Sequence, residues 1–224
     1  RQIDVCDMNF ETTDTLAEKL AAGNYAYVGL GLRNIDDNNL FEKNSFIAWY
    51  RRLAQLVRRH SHALLIAGGA GYSIFPEMLF RELALDYGIR GEGEQTWPML
   101  VEALETGRSV TTIEGLVYRR DDGTIAVNPR THFLTSPRLR FEEKTIGYYW
   151  DQSGMLNIQT KRGCPFRCIY CSYPVIEGRR IRLLDCREVV DTLEKLYREK
   201  GIDYVFFTDS VFNIDAAYNE ELAR

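Results

Sequence analysis

The sequence predicts an α/β protein, a Rossmann-like doubly wound parallel sheet followed by the first βα units of a partial TIM-like barrel. Two observations predict the first part. Strands that are apolar along their whole length alternate with amphipathic helices, the pattern of a parallel sheet covered on both faces. Glycines fall where those strands end, on the edge at which such sheets bind ligands. A third observation predicts the second part: the strand Leu156-Asn-Ile-Gln-Thr160 runs directly into a cysteine-rich loop, the position of an active-site loop on a barrel strand.

Each element follows from local pattern. Gln2 to Cys6 reads as a short strand, and residues 11–21 as a helix with Leu16 and Leu20 one turn apart. Tyr25 to Leu32 is a buried strand ending in Gly-Leu-Gly-Leu, followed by a polar loop from Arg33 to Leu40. A helix from Lys43 to His60 carries a stripe of Phe46, Trp49, Leu53, Leu56 and Val57. Ala63 to Ala67 is an apolar strand closed by Gly68-Gly69-Ala70-Gly71, and Pro76 starts a helix to about Asp86. A strand near Ile89 leads into Gly91-Glu92-Gly93-Glu94 and a helix from Trp97 to Leu104. Thr112 to Arg119, Asp121-Asp122-Gly123 and Thr124 to Val127 form a hairpin. This places one domain over 1–130, a polar linker with Pro137 over 131–153, and a second domain over 154–224. In the second domain, helix 187–199 and strand Tyr204 to Phe207 follow the cysteine loop, and a last helix runs toward Arg224. Two βα units cannot close a barrel, so the second domain is expected to be partial and the chain not competent for catalysis alone.

Composition narrows the function. Apolar residues make up 45% of 224, enough for a real core, and the net charge of −4 comes with no basic stretch. A nucleic-acid partner is therefore not expected. The longest apolar stretch is far too short to span a bilayer, and no signal peptide opens the chain. Five cysteines, three within eight residues, point to metal in a reducing cytoplasm rather than to paired disulfides.

Those three are Cys164, Cys168 and Cys171, in Cys-Pro-Phe-Arg-Cys-Ile-Tyr-Cys. Thiolates are soft ligands that suit zinc or iron–sulfur sites. Structural zinc needs four protein ligands; here no fourth is near, although Cys6 and Cys186 lie elsewhere, and His60, His62 and His132 all precede the loop. Three ligands on a 4Fe–4S cubane leave one iron open to a small molecule. A zinc knuckle completed by Cys186 is the competing reading.

Lys161 to Cys171 resembles the signature loop of the radical SAM superfamily. The resemblance implies that Cys164, Cys168 and Cys171 ligate a 4Fe–4S cluster, and that Tyr170 flanks the adenine of S-adenosylmethionine. It implies that the open iron is chelated by the methionine part, and that one electron cleaves the sulfonium to a 5′-deoxyadenosyl radical. Thr208-Asp209-Ser210 stands where family members often carry Gly-Gly-Glu; Asp209 is either an acceptor for the methionine ammonium or a cap for the next helix. Arg179, Arg180 and Arg182 either meet a carboxylate or form a solvated cluster.

Upstream, Gly29-Leu-Gly31 lacks the third glycine of a dinucleotide fingerprint. The runs Gly68 to Glu77 and Asp86 to Glu94 resemble the cobalamin-binding domain of cobalamin-dependent radical SAM enzymes. That resemblance implies a cobalamin site at Gly31, Leu32, Gly68, Gly69, Gly91 and Glu92. The stretch Asp7-Met-Asn-Phe-Glu11 has no histidine, so this loop supplies no imidazole to cobalt. The implied activity is methylation, or another radical modification, of an unactivated carbon in a small molecule or lipid. An electron donor such as flavodoxin or ferredoxin is implied as a partner. A methylthiotransferase-like enzyme would need three cysteines in the first domain, which holds only Cys6.

Overall fold

In the computed structural model, which describes residues 3–37, 39, 41, 44–138, 141 and 143–224, the chain forms two compact units that divide between His132 and Phe133. The first contains α1 (Thr13–Ala22), β1 (Tyr27–Gly31), α2 (Ile47–His60), β2 (Leu64–Gly68), α3 (Ala70–Ile74), α4 (Pro76–Glu82), β3 (Tyr87–Ile89), α5 (Gly93–Thr106), β4 (Leu116–Arg119) and β5 (Ile125–Val127). Its sheet runs β1-β2-β3-β4-β5. Strands β1, β2 and β3 are parallel, with Tyr27 opposite Leu64 and Ile66 opposite Tyr87. The hairpin strands add on antiparallel, Gly88 opposite Val117 and Tyr118 opposite Ala126. The hairpin is thus part of the main sheet, whose far edge needs no crossover helix because an antiparallel strand can be reached by a short connection.

Side chains that alternate along each strand fill two separate cores. Leu65 and Ala67 of β2 and Val117 of β4 meet Leu20, Ala54, Val57, Leu79 and Phe80 from α1, α2 and α4. Ile66, Ile89, Leu116 and Tyr118 point the other way and meet Leu100 and Ala103 of α5. Helices therefore cover both faces, as the apolar strands require. Burying each Leu or Ile side chain contributes roughly 1.5–3 kcal/mol.

Several elements differ from expectation. Residues 3–6 are not a strand, and Gln2 lies outside the described residues. Ile3 is 83% exposed and Val5 is 51% exposed, so this segment has no apolar face to bury in a sheet. Instead Asp4 accepts from the Tyr25 hydroxyl (2.8 Å). Helix α2 begins at Ile47, with Phe46 as its N-cap; the expected start, Lys43, lies outside the described residues, as does Leu40 of the polar loop. Helix α4 stops at Glu82 because Ala84 turns left-handed (φ 49°) and Leu85 N–H returns to the Phe80 carbonyl. Asp86, freed from the helix, accepts from the Leu65 amide (2.7 Å). Helix α5 starts a turn early, at Gly93.

The first unit closes with two ties near its end. Arg130 donates to the carbonyls of Arg90 and Glu92 and to Thr96 Oγ1. Glu114 accepts from the amide and hydroxyl of Thr131 and from the amide of His132, with His132 Nδ1 2.7 Å away. These bonds, the Thr131 hydroxyl first, hold the Glu114 carboxyl at about 2, well below its usual 4.5. A depressed folded value stabilises the fold above pH 4.5, and that contribution is lost as pH falls toward 2. Glu114→Gln is expected to flatten the melting temperature of the chain across that window, measured by circular dichroism; an unchanged acid slope would contradict the assignment.

In the second unit, α6 (Glu143–Ser153) precedes β6 (Leu156–Ile158), β7 (Lys161–Arg162), α7 (Tyr173–Ile176), β8 (Arg182–Leu183), α8 (Cys186–Lys200), β9 (Val205–Phe207) and α9 (Ala216–Leu222). Half of the expected linker is therefore helix. Ile146 and Trp150 of α6 pack with Leu156, Ile158, Leu196 and Ile202, apolar contacts that a free linker would leave in water; residues 139, 140 and 142 of the linker lie outside the described residues. Strands β6 and β9 are parallel, while β7 and β8 form a small antiparallel ladder. Asp185 caps α8 through the Glu188 amide, and Gly201 ends it at φ 67°.

Candidate functional site

The ladder of β7 and β8 closes the base of the cysteine loop, pairing Lys161 with Leu183 and Arg162 with Arg182. Gly163 begins the loop at φ 87°, and a Cβ there would stand 2.1 Å from the Arg180 carbonyl oxygen, so only glycine fits. The Cys164 amide donates to the Gly178 carbonyl (3.1 Å), and the Gly163 amide donates to Glu177 Oε2 (2.9 Å). Glu177 Oε1 in turn accepts from Gln159 (2.7 Å). Cys164 is buried at the base, Cys171 is half-buried and Cys168 is exposed, all as free thiols. Ile169 is fully exposed and Tyr170 is 88% exposed at the tip. Arg179 and Arg182 brace the loop from behind: Arg179 donates to the Phe166 carbonyl, and buried Arg182 donates to the carbonyls of Leu134 and Glu177.

Among the described residues, no three His, Cys, Asp or Glu side chains gather closely enough to hold one metal ion. Sulfurs around a single zinc must each come within about 2.3 Å of it. The expected fourth zinc ligand, Cys186, is instead the first residue of α8, its half-buried thiol pushed up by burial. Among the described residues, Cys186 is thus not gathered with two of the loop cysteines. Three soft thiols on a loop braced at its base fit a larger cluster, on which each sulfur binds its own iron.

Asp209 corrects the sequence reading. Its side chain is fully buried. One carboxylate oxygen accepts from the amides of Thr160 (2.6 Å) and Lys161 (2.8 Å). The other accepts from the Thr160 hydroxyl (2.5 Å) and the Lys161 ammonium (3.4 Å). Two donors per oxygen use the four lone-pair directions a carboxylate offers, which leaves none for a methionine ammonium. Nor does Asp209 cap the following helix; Asp215 does, through the Tyr218 amide.

In the first unit, the parallel strands bring the loops after β1, β2 and β3 to one edge. Gly69 adopts φ 100° with the space for a Cβ occupied by the Leu32 carbonyl. Ser73, which the sequence reading missed, ties two loops: its hydroxyl donates to the Gly69 carbonyl (2.7 Å) and accepts from the Gly91 amide (2.8 Å). Gly31 is open, with nothing within 4 Å of a built Cβ, and Gly68 meets only ordinary contacts. Glu92 is buried as the N-cap of α5. The Leu32 side chain is fully buried in the core, which leaves only its backbone for the expected role.

A cavity of about 730 Å³ opens beside β1, lined among others by Asp7, Asn9, Gly31, Asn34, Trp49 and Tyr50. Of the six expected cobalamin residues only Gly31 lines it. Trp49, read as part of the α2 stripe, lines this cavity together with Phe46, Leu53 and Val57 of the same stripe, and stays 37% exposed. Cys6 lines the same cavity, its thiol raised by burial and by the Glu11 carboxylate it faces at 3.4 Å. The volume lies within the range of small-molecule sites, and it meets the glycine edge at Gly31, so the unit can accept the tail of a large cofactor.

Residues 158–224 match the radical SAM superfamily. A tryptophan 2-C-methyltransferase of Streptomyces laurentii is 27% identical over 98% of this chain and 46% of its own length. An uncharacterised methyltransferase of Pyrococcus horikoshii is 30% identical over 70% of this chain and 35% of its own. Among solved structures, the radical S-adenosylmethionine methyltransferase TsrM of Kitasatospora setae, with cobalamin and a 4Fe–4S cluster bound, is 28% identical, with a TM-score of 0.80 over 94% of this chain and 42% of that one. The chain thus spans less than half the length of these relatives. With its cysteine loop and glycine-edged sheet carried in the same order, the chain belongs to the cobalamin-dependent radical SAM family.

Proposed function

We propose that this chain forms the cluster- and cobalamin-holding part of a radical SAM methyltransferase acting on a small molecule or lipid. The observation that carries this is the cysteine loop: three free thiols, one buried at a braced base, one half-buried and one exposed. Bound there, the cluster and cobalamin would supply reductive cleavage of S-adenosylmethionine and a carrier for the methyl group. Cys164, Cys168 and Cys171 would hold the cluster, and Tyr170, presented at the loop tip, would lie against the adenine. Gly31, Gly68, Gly69, Gly91 and Glu92 would line cobalamin at the sheet edge, with Leu32 contributing only backbone.

The loop Asp7 to Glu11 contains no histidine, so it would supply bound cobalamin with no imidazole. The relatives' substrates, tryptophan for the Streptomyces laurentii enzyme and a hopanoid for the Methylococcus capsulatus C-3 methylase, support a small-molecule or lipid substrate. A flavodoxin or ferredoxin would deliver the electron, and a cytoplasmic location fits free thiols. Among the described residues no helix is long and apolar enough to cross a membrane.

Anaerobic reconstitution with iron, sulfide and hydroxocobalamin tests both halves. The expected product carries about four irons per chain, as a three-cysteine cubane requires, together with a cob(II)alamin spectrum after reduction. Material with the cluster but no retained corrinoid would remove the cobalamin half. A zinc-only product would remove the whole proposal.

A further inference from the structure

We propose that Asp209 is a positioning residue, which with Thr208 and Ser210 clamps the strand entering the cysteine loop and so sets how tightly the loop holds its cluster; this rests on reading the loop as a cluster site. Three consecutive residues at the end of β9 reach along one short run of chain. The Thr208 amide donates to the Ile158 carbonyl (2.8 Å). Asp209 takes the four donors of Thr160 and Lys161 described above. The Ser210 hydroxyl donates to the Gly163 carbonyl (2.7 Å), one residue before Cys164. Ile158, Thr160, Lys161 and Gly163 are thereby all held by the three residues that follow β9.

Burial makes the clamp stiff. Lys161 is 1% exposed, its ammonium 4.4 Å from the ring centre of Phe212 and 4.7 Å from that of Tyr218. A buried ammonium without its carboxylate is strongly disfavoured, so the Lys161–Asp209 pair holds both strands in one register. Tyr218 completes the box: its hydroxyl faces the Thr160 carbonyl at 3.4 Å, and burial pushes that phenol up to about 12. The Lys161 and Asp209 side chains are both buried. Their effect passes through the backbone of Gly163 and Cys164.

Asp209→Asn keeps one oxygen for the two amides but turns an NH2 toward the Lys161 ammonium, donor against donor, and takes away the acceptor of the Thr160 hydroxyl. Ser210→Ala removes a single hydroxyl at the surface of the clamp. The full chain and both variants would be reconstituted anaerobically and followed by iron content, cluster loss to a chelator, and the electron paramagnetic resonance spectrum and midpoint potential of the reduced cluster. Asp209→Asn is expected to lower cluster affinity roughly 10–100-fold, the usual scale for partners that orient a metal's ligands. Its spectrum should shift and its potential rise, because Lys161 loses its counter-charge. Ser210→Ala should move the same way by less. If Asp209→Asn fails to fold, Ser210→Ala decides the matter. Wild-type and variant clusters with the same chelator kinetics, spectrum and potential would overturn the clamp alone. A wild-type chain that takes up no cluster would overturn the site reading and the clamp with it.

Discussion

Replacing Cys164, Cys168 and Cys171 together with alanine is expected to leave a folded chain that takes up no iron–sulfur cluster. The fold should survive because the thiols contribute little to it. Cys168 is exposed and Cys171 half-buried, and only Cys164, 6% exposed, loses packing. A cysteine behaves as a small apolar side chain, so that loss is on the order of 1 kcal/mol. The loop keeps its shape through bonds that involve no sulfur: the β7–β8 ladder, Gly163 to Glu177, Cys164 N–H to Gly178, and Ser210 to Gly163. Iron and sulfide should both fall to background, with an unchanged far-ultraviolet circular dichroism spectrum. Cluster binding that persists in the triple variant would place the site elsewhere.

Gly88→Ala is expected to be the most destabilising single methyl in the first unit. Gly88 sits in β3 between β2 and β4, and its missing Cβ is the space that Tyr72 fills. A Cβ there would stand 1.8 Å from the Tyr72 hydroxyl oxygen and 2.4 Å from the adjoining ring carbon. Tyr72 is fully buried, so the ring has nowhere to swing. Overpacking of this kind costs roughly 3 kcal/mol or more, a fall in melting temperature of about 10 °C for a unit of this size. Among the described residues the Tyr72 hydroxyl has no hydrogen-bond partner, and burial raises its pKa far above the usual phenol range. Tyr72→Phe alone should therefore be neutral or stabilising by about 1 kcal/mol. The double variant should recover only part of the loss, because the ring carbon still collides. Full recovery would mean that the hydroxyl alone was the obstacle; a Gly88→Ala variant with wild-type stability would contradict the packing.

What the sequence determined by itself was local and periodic. The apolar run Ala63 to Ala67 and the alternating Leu156 to Thr160 read as strands, and the Lys161 to Cys171 loop carries its ligand chemistry in residue type and spacing. Neither depends on what lies across the fold. The tertiary structure decided matters that depend on partners distant in sequence. Ile3 to Cys6 has strand-like residues but no face to bury. Residues 143–153 are polar enough for a linker until Ile146 and Trp150 meet Leu156 and Leu196. Leu32 sits among ligand-loop glycines, yet its side chain turns into the core.

Asp209 is the sharpest instance. Its position after β9 suggested a ligand or a cap, and either would suit an aspartate at a strand end. Only the fold brings Thr160 and Lys161, almost fifty residues earlier, under the same carboxylate. A carboxylate's role is set by which donors reach it first, and donors supplied by a neighbouring strand leave no trace in the sequence around the acid.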